Sequence, residues 1–218
     1  MLKRFDVSPK RIKVIPNGVN HLVYRQRNKM EATSILNLPL DKRIILNVGD
    51  EGPRKNIQTL IKTLYKVKKS LGDILLIRIG EQRETTKELI RRLGLNDSVV
   101  YYSSLSSEEV VLFYNAADVF VCPSIYEGFG LPVLEALASG CPVVITNRGA
   151  IPEVAGDAGI LVDPFDTELL SAKIEMVLTD VSLRRELVEE GIRRASKYSW
   201  EKCAEETKSV YEKVLEGL

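Results

Sequence analysis

The chain holds one histidine, His21, in 218 residues. With no serine, cysteine or carboxylate partner set near it by sequence, such a histidine is more often a surface or turn residue than a catalyst, and no role is expected of it. Cysteine is scarce too: Cys122, Cys141 and Cys203 are odd in number and widely spaced. That argues against a disulfide framework and a zinc site, and it fits a reducing cytoplasm. No run approaches the roughly 18 uninterrupted apolar residues a membrane span requires. The opening Met1-Leu2-Lys3-Arg4-Phe5-Asp6 lacks the apolar core of a secretory signal. An excess of one charge is also lacking, since 31 Lys and Arg face 30 Asp and Glu, and nucleic-acid binding gains no support as a main role.

The balance hides a local excess. Lys3, Arg4, Lys10, Arg11, Lys13, Arg25, Arg27 and Lys29 face only Asp6 in the first thirty residues. Such an arm suits an anionic lipid surface, a partner domain or plain solvation, and charge runs are usually solvated. Peripheral membrane association at the inner, cytoplasmic face therefore stands as one expectation beside water.

From Arg43 onward the pattern alternates. Continuous apolar strands are expected at Ile44 to Val48, Ile74 to Ile79, Val99 to Tyr102, Val119 to Cys122, Pro142 to Thr146 and Gly159 to Val162. Between them, helical spacing appears at Ile57 to Lys69, Glu84 to Leu93, Ser107 to Ala116 and Leu131 to Ala138. Apolar strands alternating with amphipathic helices predict an α/β fold, a Rossmann-like doubly wound parallel sheet with ligands at the C-terminal strand ends. The expected organisation is one domain: a leading segment 1–42, an alternating core 43–165 and a helical tail 166–218. In the leading segment Ile12 to Ile15 looks like a short strand ended by the turn signal Pro16-Asn17-Gly18, and Glu31 to Leu36 is compatible with a helix. The tail is expected to be helical from Thr167 to Leu218, with Ser199 as an N-cap and an apolar stripe of Trp200, Cys203, Thr207, Val210, Tyr211 and Val214.

The most informative stretch is Glu127-Gly128-Phe129-Gly130-Leu131-Pro132-Val133-Leu134-Glu135. It places two glycines where a strand hands over to a helix, and such a junction aims backbone N–H groups at a phosphate above the sheet. Pro132 suits the first helical turn. Glu135, about one turn inside, is suited to accept hydrogen bonds from ribose hydroxyls. Glu127, ahead of the turn, is expected to point at a sugar. For an arbitrary pair of glutamates a solvated surface is the commoner outcome; the flanking Pro123-Ser124 and Gly140-Cys141-Pro142-Val143-Val144 lower its weight here.

With Pro16-Asn17-Gly18-Val19, Val48-Gly49, Lys55-Asn56, and Pro152-Glu153-Val154 followed by Gly159-Ile160-Leu161-Val162, these pieces make the chain similar to the C-terminal half of the GT-B fold, group 1 (family 4) glycosyltransferases. The resemblance covers nearly the whole chain. It implies retaining transfer of a sugar from a nucleoside diphosphate-sugar such as GDP-mannose, UDP-glucose or UDP-N-acetylglucosamine, without an obligatory metal or other cofactor. It implies catalytic roles for Lys55, Arg54 and Glu127. Donor contacts are implied for Gly49, Glu127, the backbone of Gly128, Phe129, Gly130 and Leu131, and Glu135. The family usually has Arg directly after the first glycine; here Asp50 stands there, and Arg54 is the candidate to supply the guanidinium. The base is expected near Gly80, Glu81 and Leu105.

A full GT-B enzyme has a second, N-terminal nucleotide-fold half that holds the acceptor. The resemblance therefore implies that this domain acts in cis or in trans, and that this chain alone binds donor but turns over poorly. A non-catalytic nucleotide-sugar-binding or regulatory module is the alternative. An NAD-dependent dehydrogenase is disfavoured, because Gly49-Asp50-Glu51-Gly52 does not meet the Gly-x-Gly-x-x-Gly spacing.

Overall fold

The structure is a computed structural model, and it describes Ser8 and residues 11–216. Six strands form one wholly parallel sheet: β1 (Arg43–Val48), β2 (Ile74–Ile79), β3 (Val99–Tyr102), β4 (Val119–Cys122), β5 (Val143–Thr146) and β6 (Gly159–Val162). Their order is β3-β2-β1-β4-β5-β6. Each of the six strands expected from Arg43 onward is present; β2, β4 and β5 are buried along their whole length and so read as continuous apolar runs, while the edge strands β3 and β6 are partly exposed. Alternate residues feed opposite sides. Ile44 and Leu46 of β1, Leu75 and Ile77 of β2 and Phe120 of β4 join one core. Ile45, Leu76, Val119 and Val121 join the other.

Helices α1 (Lys29–Ile35), α4 (Ser107–Ala116), α5 (Leu131–Ala138) and α6 (Ile151–Ala155) contribute to the first core, while α2 (Ile57–Leu71), α3 (Glu84–Arg92) and α7 (Thr167–Thr179) contribute to the second. In α2 the buried residues Ile57, Leu60, Ile61, Leu64 and Val67 recur at the spacing of one helix face, and Lys68 and Lys69 occupy the last turn, where cations complement the dipole. Leu60 and Leu64 are essentially inaccessible; truncating either to alanine removes about 2 to 5 kcal/mol of stability.

The tail is helical, as expected, over its described residues. It is three helices, α7, α8 (Val181–Ala195) and α9 (Trp200–Glu216). Asp180 interrupts it by capping α8 through the Leu183 N–H at 2.9 Å. Ser199 accepts from the Lys202 N–H at 3.1 Å, as expected of the cap of α9. The apolar stripe of α9 is largely uncovered: among its described residues none is buried.

The strand expected at Ile12 to Ile15 is absent, since among the described residues that stretch has no neighbouring strand and its apolar side chains Ile12 and Val14 are exposed. Val19 instead forms an isolated bridge with Ser199. This explains Pro16-Asn17-Gly18: a Cβ at Gly18 would lie 2.1 Å from the Trp200 nitrogen, so only glycine lets the leading segment cross the α8–α9 junction. Of the basic arm, Lys3, Arg4 and Lys10, with Asp6, lie outside the described residues; Arg11, Lys13, Arg25, Arg27 and Lys29 are exposed. Among the described residues no helix is long and apolar enough to cross a membrane.

β1 has β2 on one side and β4 on the other, and the helix after β1 covers one face while the helix after β4 covers the other. The loops that follow β1 and β4 thus lead to opposite faces at the topological switch point, the place where such sheets carry their ligand crevice.

Candidate active site

The loop after β1 is built to turn sharply and then stop. Gly49 has φ of +130°, and a Cβ there would come within 3.4 Å of Lys55 Nζ, so glycine leaves room for the lysine to fold back over the strand end. Asp50 Oδ1 accepts from the Gly52 N–H at 2.5 Å, a local turn that holds the Asp50 carboxyl below its ordinary range. Pro53–Lys55 makes a single 3-10 turn, and Asn56 ends it in the left-handed region. The Asn56 side chain donates to the Pro123 carbonyl at 3.1 Å and the Pro164 carbonyl at 2.7 Å. The Ile125 N–H donates to the Arg54 carbonyl at 2.7 Å, joining this loop to the one after β4.

Between those ties, three expected residues meet. Glu127 Oε1 accepts from Lys55 Nζ at 2.6 Å and from Ser124 Oγ at 2.8 Å, and Oε2 accepts from Arg54 Nη1 at 3.3 Å. Lys55 and Glu127 have side chains only 11% and 8% exposed, whereas Arg54 is 52% exposed. The pair is therefore the rigid part of the constellation and Arg54 its open flank. Backbone contacts fix Glu127 as well: the Ala150 N–H donates to its carbonyl at 3.2 Å, and a Cβ at Gly149 would lie 2.8 Å from that oxygen. Asp50 Oδ2 also lies 3.6 Å from Arg54 Nη2, so the two cations face two carboxylates, and the exposed Arg54 is the cation most easily turned towards an arriving diphosphate.

The glycine turn follows. Gly128 is exposed, and Phe129 is half-buried with its ring edge-on to Tyr198, centroids 6.1 Å apart. Gly130, φ of +95°, caps α5 without a side-chain hydrogen bond, and Leu131 and Pro132 form the first turn. An uncapped helix start leaves amide donors for a ligand.

Glu135 is elsewhere on α5, in different company. Its Oε2 accepts from the hydroxyl of Tyr114 at 3.0 Å. Burial pushes its carboxyl above the ordinary 4.5, with hydrogen bonds from Tyr114 and Tyr24 opposing the rise. The structure thus brings Lys55, Arg54 and Glu127 together and keeps Glu135 apart from them, on the sheet face shared with Tyr114. Of the residues expected near the base, Glu81 is exposed and Leu105 half-buried, and the Gly80 N–H is used by the Tyr102 carbonyl at 2.8 Å.

One group was not foreseen. Arg78 lies fully buried in β2, with Nη1 donating to Asn47 Oδ1 and Nη2 to the Gly49 carbonyl at 2.9 Å. Glu51, also buried, accepts from the hydroxyls of Tyr101 and Thr86, each at 2.6 Å, and from the Arg83 N–H at 3.0 Å. The signal was present: an arginine inside the otherwise apolar run Ile74 to Ile79 has to be buried if that run is a central strand. Among the described residues, no group of three or more His, Cys, Asp or Glu is placed to hold a metal ion.

A six-stranded parallel sheet with this crevice is the architecture of a Rossmann-like, GT-B C-terminal domain. The profile described as Glycosyl transferases group 1 matches residues 28–194. The chain belongs to that family. It is 34% identical over 220 residues to the MMP alpha-(1->4)-mannosyltransferase of Mycolicibacterium hassiacum, covering 99% of this chain and 51% of that protein. Among solved structures it resembles a sucrose-phosphate synthase from Thermosynechococcus elongatus, with a TM-score of 0.89 at 28% identity over 100% of this chain and 56% of that one. It also resembles the C-terminal domain of a group 1 family glycosyl transferase from Francisella tularensis, with a TM-score of 0.73 at 29% identity, covering 83% of this chain and 97% of that domain. The chain thus spans about half the length of the mannosyltransferase it matches.

Proposed function

We propose that this chain is the donor-binding half of a retaining glycosyltransferase, and that it binds a nucleoside diphosphate-sugar for transfer to an acceptor held by an N-terminal domain in cis or in trans. The observation that carries this reading is the convergence of Lys55, Arg54 and Glu127 at the β1/β4 switch point, beside the glycine turn that opens α5. In such a transfer the bond from the anomeric carbon to the diphosphate oxygen breaks, a bond from that carbon to an acceptor hydroxyl oxygen forms, and the hydroxyl proton leaves with the diphosphate. Negative charge grows on the diphosphate, and Lys55 with Arg54 neutralises it. Glu127 holds Lys55 in place and offers its carboxylate to sugar hydroxyls. The amides of Phe129, Gly130 and Leu131 face sugar and diphosphate, Gly49 leaves space for them, and Glu135 accepts from the ribose.

The mannosyl group in the relative's name makes GDP-mannose the first donor to test, followed by UDP-glucose and UDP-N-acetylglucosamine. Calorimetric titration of the chain with GDP, UDP, ADP and their sugars, in excess chelator, is expected to give binding to one base. Failure of every nucleoside diphosphate to bind defeats the donor-binding reading. An absolute need for Mg²⁺ or Mn²⁺ defeats its metal-independent form.

A further inference from the structure

Among the described residues Arg78 is the largest side chain that is fully buried. A guanidinium inside a parallel sheet is costly unless its donors are used, and a hydrophobic side chain of similar volume would fill the space more cheaply. Its specific contribution is its contacts. Nη2 donates to the Gly49 carbonyl at 2.9 Å and lies 3.9 Å from Glu51, while Nη1 is taken by Asn47. Glu51 in turn is held by Tyr101 of β3, Thr86 of α3 and the Arg83 N–H. Gly49 and Glu51 are therefore both pinned to the β2, β3 and α3 side, with Asp50 fixed between them.

The direction of the pinned peptide follows. The Gly49 carbonyl points towards β2, for besides accepting from Arg78 it packs on Gly80 just past that strand, where a Cβ would lie 2.2 Å from the oxygen. No described peptide bond is cis, and in a planar trans peptide the C=O and the following N–H point in opposite directions. Since β1 lies between β2 and β4, the Asp50 N–H is aimed to the β4 side, into the crevice where Lys55 meets Glu127. The Asp50 side chain is occupied in its own turn with Gly52.

We propose that the Asp50 backbone N–H is a donor to the diphosphate of the bound nucleotide, and that the buried Arg78–Glu51 pair is the positioning device that aims it. This rests on the donor-binding reading above. A charged donor on the Gly49 carbonyl polarises the peptide and strengthens the N–H on its other end. A donor fixed before the ligand arrives needs no reorganisation when it binds.

The test uses the ¹⁵N-labelled 218-residue chain, titrated with whichever of GDP, UDP or ADP binds best and separately with the parent nucleoside. The Asp50 amide proton is expected to move downfield with the diphosphate and not with the nucleoside. Arg78→Met is expected to weaken the diphosphate by about tenfold, the size of one lost charge-assisted hydrogen bond, and to leave the nucleoside within about twofold. Arg78→Lys, which retains a cationic donor for the Gly49 carbonyl, should recover most of the loss. A purely structural Arg78 would weaken both ligands alike or neither, and either result overturns the proposal. An Asp50 amide that stays put while wild type binds the diphosphate overturns it as well, even if Arg78→Met does not fold. Should wild type bind no nucleoside diphosphate, the donor-binding reading fails and this inference with it; an unmoved Asp50 in a binding protein defeats the inference alone.

Discussion

Around Glu127 the protein gathers charge, with Lys55 at 2.6 Å and Arg54 at 3.3 Å. Around Glu135, eight residues on, it gathers phenols, with Tyr114 bonded at 3.0 Å and Tyr24 edge-on to Tyr114. Glu127 is buried and Glu135 partly so, and the two neighbourhoods treat the withdrawn carboxylate differently. The first neutralises the charge, so removing one partner strands the other in a place poor in water. The second leaves the ionised carboxylate with fewer donors than it can use, which is why burial pushes its carboxyl upward. An unsatisfied carboxylate is suited to take up two ribose hydroxyls, whereas a neutralised one is suited to hold a lysine for a diphosphate.

The largest effect expected from this contrast is at Lys55. In a two-domain enzyme reconstituted with an N-terminal half, Lys55→Ala should lower kcat by roughly 10² to 10³, the range for loss of one preorganised charge-stabilising donor, and lower donor affinity less. Steady-state kinetics with donor varied separate the two quantities. A normal kcat would remove Lys55 from the chemistry, and brisk transfer by the 218-residue chain alone would refute its being a half-enzyme.

Next in size is the division between the glutamates. Glu135→Ala should weaken the free nucleoside diphosphate by about 1.5 to 3 kcal/mol, as expected for hydrogen bonds to a charged group, while Glu127→Ala, which only releases Lys55 from its partner, should affect the diphosphate less and weaken chiefly the sugar nucleotide. Equal losses for the diphosphate in both variants would erase the distinction.

Much of this contrast was legible in the sequence, and the part that was not has a physical reason. The six strands and the helix at Leu131–Ala138 showed because local patterns carry them. The meeting of Lys55 with Glu127 spans 72 positions and depends on strand order, which no local pattern encodes. Ile12 to Ile15 has the composition of a strand yet pairs with no strand among the described residues, since a strand requires a neighbouring edge as well as apolar side chains. The burial of Arg78 is readable from its place inside the apolar run Ile74 to Ile79, whereas that of Glu51 follows only once β1, β2 and β3 lie side by side.

A smaller effect is set by pH. Because the folded Glu135 carboxyl sits above the ordinary 4.5, its contribution to stability is full below that value and is lost as pH rises through the folded value. Glu135→Gln has no such proton to lose. The melting temperature of the variant relative to wild type should therefore climb between about pH 4 and pH 7, by on the order of 2 to 4 °C for each kcal/mol involved. Asp50 and Asp163, whose carboxyls are held low by their hydrogen bonds, act equally in both proteins and cancel. A gap that does not vary with pH would mean that Glu135 is not buried as described.

The smallest stability effect is expected at Arg54, and it sharpens the comparison most cheaply. Its guanidinium is half exposed and shared between Glu127 at 3.3 Å and Asp50 at 3.6 Å. Solvent screens such contacts, so Arg54→Ala should change stability by less than about 1 kcal/mol, whereas the buried partner Lys55 should matter more. The same substitution is expected to weaken nucleoside diphosphate binding, because an exposed guanidinium at the mouth of the crevice is placed to meet an anion. Denaturant unfolding and calorimetry on one variant decide between the two roles. A loss of affinity without a loss of stability assigns Arg54 to the donor, where the family's arginine would otherwise stand, and a loss of stability alone makes it no more than a brace for Glu127.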